Sequence, residues 1–207
     1  GTVLPLEIEG AVGTTHMYPS LAGFAVGIAL NLNPISLLEG LRNTRREPGR
    51  MRIIPGIKKT VVLDDSYNAS PIATARALDT LDIIPSNGRK IAILGDMLEL
   101  GEHTESEHKK AGKRAADFVD ILVSVGRFAR YTAEGALNAG MSEKSILQFE
   151  SAEEAGKYIE LLLKAGDTIL IKGSQGSRME RAVLEIMESP QQKRELLARQ
   201  DPEWLKR

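Results

Sequence analysis

Two adjacent carboxylates, Asp64 and Asp65, end the apolar run 61–63 and lead through Ser66-Tyr67-Asn68-Ala69 into Ser70-Pro71. A carboxylate at the end of a strand can hold a ribose, a metal ion or an amine. It can equally serve as a turn aspartate bonding nearby backbone, and spacing alone leaves both readings open. Alternation along a strand starts the two side chains toward opposite faces, so one ligand need not meet both. A second group, Lys172-Gly173-Ser174, closes the last apolar run and is followed by Gln175-Gly176-Ser177. Lysine supplies charge for a carboxylate or phosphate, glycine lets a ligand approach the backbone, and a helix start favours anions. The competing reading is a glycine-rich turn with a solvated lysine.

Three further candidates carry weaker signals. The run Gly95-Asp96-Met97-Leu98-Glu99-Leu100-Gly101 could wall a pocket, although its composition favours a packed loop whose acids face water. Arg50, after Pro48-Gly49, could clamp a phosphate, but a lone linker arginine is usually solvated. His16, His103 and His108 have no metal-ligand spacing, and the last two sit among charged residues, which reads as solvated surface. No stretch matches G-x-x-x-x-G-K-[ST], so that kind of phosphate loop is not in these residues.

The elements that must position these groups follow from apolar periodicity. Short apolar runs at 61–63, 91–94, 121–125, 146–149 and 168–171 alternate with helical stripes, which predicts an α/β fold: a mainly parallel sheet with helices on both faces. Ser70-Pro71 predicts one helix start, and Ser151 with Glu154 another. Right-handed crossovers then place the loops 64–70, 95–101, Gly126 and 172–177 on one edge, where ligands bind in such sheets. The turns bearing Asp65, Asn68 and Lys172 should therefore converge on one rim. Ahead of this unit, residues 2–12 read as a strand. Met17, Leu21, Phe24 and Ile28 form a helical stripe, and Asn33-Pro34 opens a second helix. The charged stretch 42–50 reads as a connector. One strand and two helices make a thin core, so this segment reads as the end of a larger domain.

Composition bounds the function. With 207 residues, 42% apolar and 27% charged, the chain can bury one or two ordinary cores. A net charge of −1 gives no electrostatic pull toward nucleic acid or an anionic membrane. The absence of cysteine excludes disulfides, thiol catalysis and cysteine metal sites. No apolar run is long enough to cross a bilayer, and no signal peptide is visible.

Taken together, Asp64-Asp65-Ser66-Tyr67-Asn68-Ala69-Ser70-Pro71, Leu94-Gly95-Asp96-Met97-Leu98-Glu99-Leu100-Gly101 and Lys172-Gly173-Ser174 with Met179-Glu180 resemble the Mur ligases. Pro48-Gly49-Arg50-Met51 is similar to that family's junction between central and C-terminal domains. The resemblance implies residues 1–50 as the strand-plus-helices end of a central ATP-binding domain, 51–189 as a Rossmann-like C-terminal domain, and 190–207 as a charged tail. It implies an ATP-dependent amide-forming ligase of peptidoglycan synthesis, in which the carboxylate of a UDP-N-acetylmuramoyl-tripeptide is phosphorylated and then attacked by the amine of D-alanyl-D-alanine. ATP and Mg2+ would serve the complete enzyme, in the cytoplasm and with its own upstream domains as partners. Neither nucleic acid nor membrane is implied, and these residues alone would bind neither cofactor strongly nor act as a ligase.

Residue by residue, Arg50 matches the junction arginine that contacts ATP phosphates, and Asp65 the aspartate implicated in nucleotide binding. Asn68 and Ala69 fall where the family's loop meets the amine substrate. Lys172 and Ser174 lie on the same side, with Lys172 directed at a substrate carboxylate. No catalytic residue and no metal ligand is assigned. The family's His-Asn-x-x-Asn pattern is unmatched at Thr15-His16-Met17-Tyr18-Pro19, Ser70 replaces a commoner asparagine, and Gln175 a common arginine. The alternatives are an amino-acid-adding Mur ligase or a non-catalytic nucleotide- or sugar-binding module. A receiver-type signalling domain is rejected because Val123-Ser124-Val125-Gly126 carries no phosphate-accepting aspartate.

Overall fold

The computed structural model describes residues 3–6, 8, 12–13, 17–44 and 47–206. The apolar runs become strands: β1 (Arg52–Gly56), β2 (Thr60–Asp65), β3 (Lys90–Gly95), β4 (Ile121–Val125), β5 (Ile146–Phe149) and β6 (Thr168–Lys172). They form one sheet in the order β1-β2-β6-β3-β4-β5, parallel except for β1, which runs antiparallel to β2. The helices are α1 (Met17–Ala29), α2 (Pro34–Arg42), α3 (Pro71–Ile83), α4 (Thr104–Ala116), α5 (Arg130–Asn138), α6 (Ala152–Leu162), α7 (Glu180–Ile186), α8 (Lys193–Leu196) and α9 (Pro202–Leu205).

A parallel sheet is covered on both faces, so its strands are apolar on both sides. Leu63, Ala92, Leu94, Leu122 and Leu170 face α3, α4 and α5. Val62, Ile91, Ile93, Val123, Ile169 and Ile171 face α6 and α7. The chain's return from β5 inserts β6 between β2 and β3, which brings the last turn beside the first acidic loop. Ser70 caps α3, its Oγ accepting from the Ala73 N–H at 3.3 Å. Ser151 caps α6 in the same way at 3.3 Å.

Several expectations need correction. β1 adds a strand to those expected, and it contains Pro55. Proline is tolerated there because β1 lies at the sheet edge, and the Pro55 carbonyl accepts from the Glu188 N–H at 2.9 Å. The strand expected over 2–12 falls partly outside the described residues, and its described members, 3–6, 8 and 12, form no regular element. His16 also lies outside them. Helix α1 forms as expected, yet its stripe faces outward: Met17 is 51% and Leu21 52% exposed. The charged segment beyond residue 189 forms short helices and packs against the domain. Leu197, Ala198 and Arg199 are buried, and Trp204 is half-buried.

Candidate functional site

The alternation of β2 sends its two carboxylates apart, as the sequence predicts. Asp64 is fully buried. Its Oδ2 accepts from the Gly49 N–H and its Oδ1 from the Ser66 N–H, both at 3.1 Å. Tyr67 N–H donates to the Gly49 carbonyl at 3.0 Å. Gly49 has φ +71°, and a Cβ there would stand 2.8 Å from the Tyr67 nitrogen, so only glycine fits this crossing. The connector expected around residues 42–50 is thus stitched to the acidic loop at its C-terminal end.

Burial pushes the Asp64 carboxyl from its ordinary 3.8 up to about 6, against the N–H donors that lower it. The folded protein therefore holds a proton between pH 4 and 6 that the unfolded chain releases. That contribution is most favourable below about pH 4 and is lost as pH rises toward 6, by up to about 3 kcal/mol. Urea unfolding at pH 4.5 and pH 7 should show this slope in the parent and a flatter one in Asp64→Asn. Parallel profiles would contradict it.

Asp65 points to the α3 face, directly beside Lys172 in the parallel register. Its Oδ2 takes the Lys172 Nζ at 2.5 Å and its Oδ1 accepts from the Met51 N–H at 3.0 Å. Burial pushes the Asp65 carboxyl up, and the Lys172 ammonium pulls it back down. Lys172 also donates to the Asn68 carbonyl at 2.9 Å. Asp65, Asn68 and Lys172 therefore meet on one rim, as predicted, but Lys172 is only 2% exposed and its ammonium is already shared. The lysine expected to meet a substrate carboxylate is thus enclosed, because β6 sits next to β2 and its partner lies one strand away.

The other predicted residues divide between exposed and interior positions. Arg50 is exposed, with its guanidinium 4.1 Å from the centre of the Tyr67 ring. Asn68 is exposed, and its Oδ1 accepts from the Ala69 N–H at 2.9 Å. Ala69 is buried. Ser174 is buried between three loops: its Oγ accepts from Leu98 N–H at 2.8 Å and donates to the Ala69 carbonyl at 3.5 Å, and its N–H donates to the Asp96 carbonyl at 2.8 Å.

The loop after β3 matches its sequence reading only in part. Glu99 is exposed, whereas Asp96 is half-buried. Its Oδ1 accepts from Phe128 N–H at 2.9 Å and Ala129 N–H at 2.7 Å, capping the start of α5. His108 is fully buried, not solvated. Its Nε2 accepts from Met97 N–H at 3.0 Å, so Nδ1 carries the proton and donates to the Thr104 carbonyl at 2.6 Å. Burial holds this imidazole below its ordinary range. The charged neighbours in sequence hid the burial, because they lie on the other face of α4.

Between these loops lies a cavity of about 430 Å³. Arg127, Arg178 and Arg181 line it together with Asp96, Glu150 and Glu153. Both signs of charge are present, which suits a zwitterion better than a simple anion. Sequence reasoning missed these arginines. Arg127 follows β4, while Arg178 and Arg181 follow β6, so only strand order brings the first to the other two.

Comparison with known proteins follows the same lines. The model of the Mur ligase family's glutamate ligase domain matches residues 49–175. The UDP-N-acetylmuramoyl-tripeptide–D-alanyl-D-alanine ligase of Escherichia coli K12 is 30% identical over 182 residues, 86% of this chain and 38% of the relative. That of Bacillus subtilis 168 is 28% identical over 180 residues, 86% of this chain and 39% of the relative. The chain thus spans about two fifths of the length of these relatives. A MurF ligase from Thermotoga maritima, solved in complex with ADP, superimposes with a TM-score of 0.73 at 25% identity, covering 91% of this chain and 41% of that one. A MurF from Acinetobacter baumannii gives 0.71 at 29% identity, covering 82% of this chain and 37% of that one.

Proposed function

Because this chain belongs to the Mur ligase family, we propose that it is the C-terminal part of an ATP-dependent ligase joining D-alanyl-D-alanine to UDP-N-acetylmuramoyl-tripeptide. The observation that carries this reading is the stitched junction. Residues 49–51 bond to both aspartates of the acidic loop, and the last strand locks that loop through Lys172. Relatives of the same sequence pattern carry this activity by name. In this reading residues 1–50 end the ATP-binding domain, and the outward apolar stripe of α1 packs against the rest of it.

A carboxylate is a poor electrophile, so its oxygen first bonds to the γ-phosphorus of ATP as the bond to the bridging oxygen breaks and ADP leaves, giving an acyl phosphate. The amine nitrogen then bonds to the acyl carbon, the carbon–oxygen bond to phosphate breaks, and phosphate leaves with the electron pair while the amine loses a proton. This chain positions groups for that sequence. Arg50 offers an exposed guanidinium to the nucleotide phosphates. Asp65 and Lys172 hold the loop that presents the Asn68 amide, and Ser174 keeps the three loops in register. The arginines of the cavity suit the dipeptide's carboxylate, and its acids the ammonium before deprotonation. Among the described residues no group of three or more His, Asp or Glu side chains could hold a metal ion. A cytoplasmic reaction belongs to this reading; no helix among the described residues is long and apolar enough to cross a membrane.

In the complete protein, phosphate release from ATP should require both the tripeptide nucleotide and D-alanyl-D-alanine, while residues 1–207 alone release none. Arg50→Ala should raise the KM for ATP roughly 10- to 100-fold, the worth of a charge-assisted phosphate bond. Release driven instead by a single amino acid would make this an amino-acid-adding ligase, and no release with any amine would make it a binding module.

A further inference from the structure

The loop after β2 and the turn after β6 are joined by a residue that neither contains. Past α7 the chain doubles back, and Arg199, in left-handed backbone at φ +59°, comes to lie against both. One guanidinium nitrogen donates to the Ser66 carbonyl at 3.2 Å and to Glu180 Oε2 at 3.1 Å. The other terminal nitrogen donates to the Tyr67 carbonyl. Glu180 begins α7, and its second oxygen accepts from Arg178 Nε at 2.6 Å. The Arg199 and Glu180 side chains are 3% and 2% exposed.

Aromatic rings extend this linkage in both directions. The Tyr67 ring has Arg50 at 4.1 Å and Arg199 at 5.2 Å. The Trp204 ring has Arg199 at 5.5 Å and Arg178 at 5.4 Å. A continuous series of guanidiniums and rings thus runs from Arg50, at the junction, to Arg178, which lines the cavity. A buried ion pair is weak evidence for stability by itself, because desolvation offsets most of the attraction. A planar guanidinium, however, sets the relative position of everything it bonds. Here those groups are two carbonyls of the acidic loop and the carboxylate that orients Arg178.

We propose that Arg199 is a positioning residue: it touches no substrate but fixes the distance between the nucleotide side (Arg50 and the 64–70 loop) and the amine-substrate side (Arg178 and the cavity). This rests on the proposed ligase function for what the two sides bind, but the mechanical coupling can be read without it. Arg199→Ala leaves Glu180 Oε2 and the Ser66 and Tyr67 carbonyls without this donor. Hydrogen exchange of the complete protein should then quicken roughly 10- to 100-fold in peptides spanning 64–70 and 173–178 together, with β3 and β4 unchanged. In the ligase assay the KM values for ATP and for the dipeptide should both rise about tenfold or more, at a temperature where the variant is fully folded. Arg199→Lys keeps the charge but cannot span all three acceptors, so it should fall between parent and Arg199→Ala in both readouts and supplies the folded variant if the alanine unfolds. The proposal is overturned if exchange quickens only beyond residue 188, or if activity falls only in proportion to unfolded protein. A parent without ligase activity would defeat the functional reading, and the exchange pattern would still decide the coupling.

Discussion

Replacing Lys172 by methionine should remove about 3–5 kcal/mol of stability, because it strands a carboxylate without its ion-pair partner in a closed site. Methionine keeps most of the lysine stem, so the change isolates the charge from the packing. Asp65 would retain only the Met51 N–H. Its side chain is 16% exposed, too little for water to replace an ammonium at 2.5 Å. The sign with pH follows. Without Lys172 the folded-state carboxyl of Asp65 rises further above its unfolded value, so the variant loses stability as pH climbs through the carboxylate range and recovers in acid. Asp65→Leu combined with Lys172→Met removes both charges and should regain most of the loss. Ligase activity of the complete protein should stay at least about a hundredfold down in both variants, since the Asn68 carbonyl has lost its anchor. Urea unfolding and initial rates measured on the same samples would settle it. Equal stabilities for the single and double variants would mean that the pair carries no charge coupling.

That coupling shows what a sequence can and cannot reveal. The apolar runs, the helix start at Ser70-Pro71 and the divergence of Asp64 from Asp65 are local, set by residues within one or two turns of each other. So is the one-edge placement of the loops, which follows from strand–helix alternation and crossover hand. The partnership of Asp65 with Lys172 spans 107 positions and depends on β6 entering between β2 and β3. Nothing local specifies that insertion. The sequence therefore predicts Lys172 at the right rim while leaving its ammonium free, when strand order has already given it a partner.

The other misses share that origin. His108 looks solvated because Glu105, Glu107, Lys109 and Lys110 surround it, but a helix separates neighbours in sequence onto different faces. β1 carries Pro55, and proline argues against a central strand while saying nothing against an edge. Arg199 sits in a charged, proline-bearing segment that reads as solvated, and only the fold shows two carbonyls and a carboxylate waiting for it. The resemblance to the Mur ligases singled out both the 48–51 junction and the acidic loop, which the fold brings into contact. It was silent on the cavity arginines, which fall outside them.

Gly112→Ala tests how far the site depends on helices that bear none of its predicted residues. Alanine should improve α4 by about 1 kcal/mol on helix propensity. Against that, a Cβ at position 112 would stand 1.9 Å from the Thr132 carbonyl oxygen and 2.8 Å from the Ala136 nitrogen, both backbone atoms of α5. Backbone cannot rotate aside as a side chain can, so the helices must separate. Gly135 on α5 is pressed reciprocally, with a Cβ position 2.2 Å from the Lys109 carbonyl oxygen, so neither helix can slide to relieve the other. Overpacking of this kind outweighs propensity, and a net loss of about 3 kcal/mol or more is expected. Gly23→Ala in α1, where nothing lies within 4 Å, should instead gain up to about 1 kcal/mol. Thermal melts of the two variants should therefore move in opposite directions, and a Gly112→Ala melt that tracks Gly23→Ala would show that α4 and α5 are further apart than described. The damage should also reach the site. His108 on α4 holds Met97, and Asp96 caps α5, so the 95–101 loop is fastened to both helices at once. Driving them apart pulls that loop in two directions, and the Ser174 bonds to Leu98 and Asp96 carry the displacement to the turn beside Lys172.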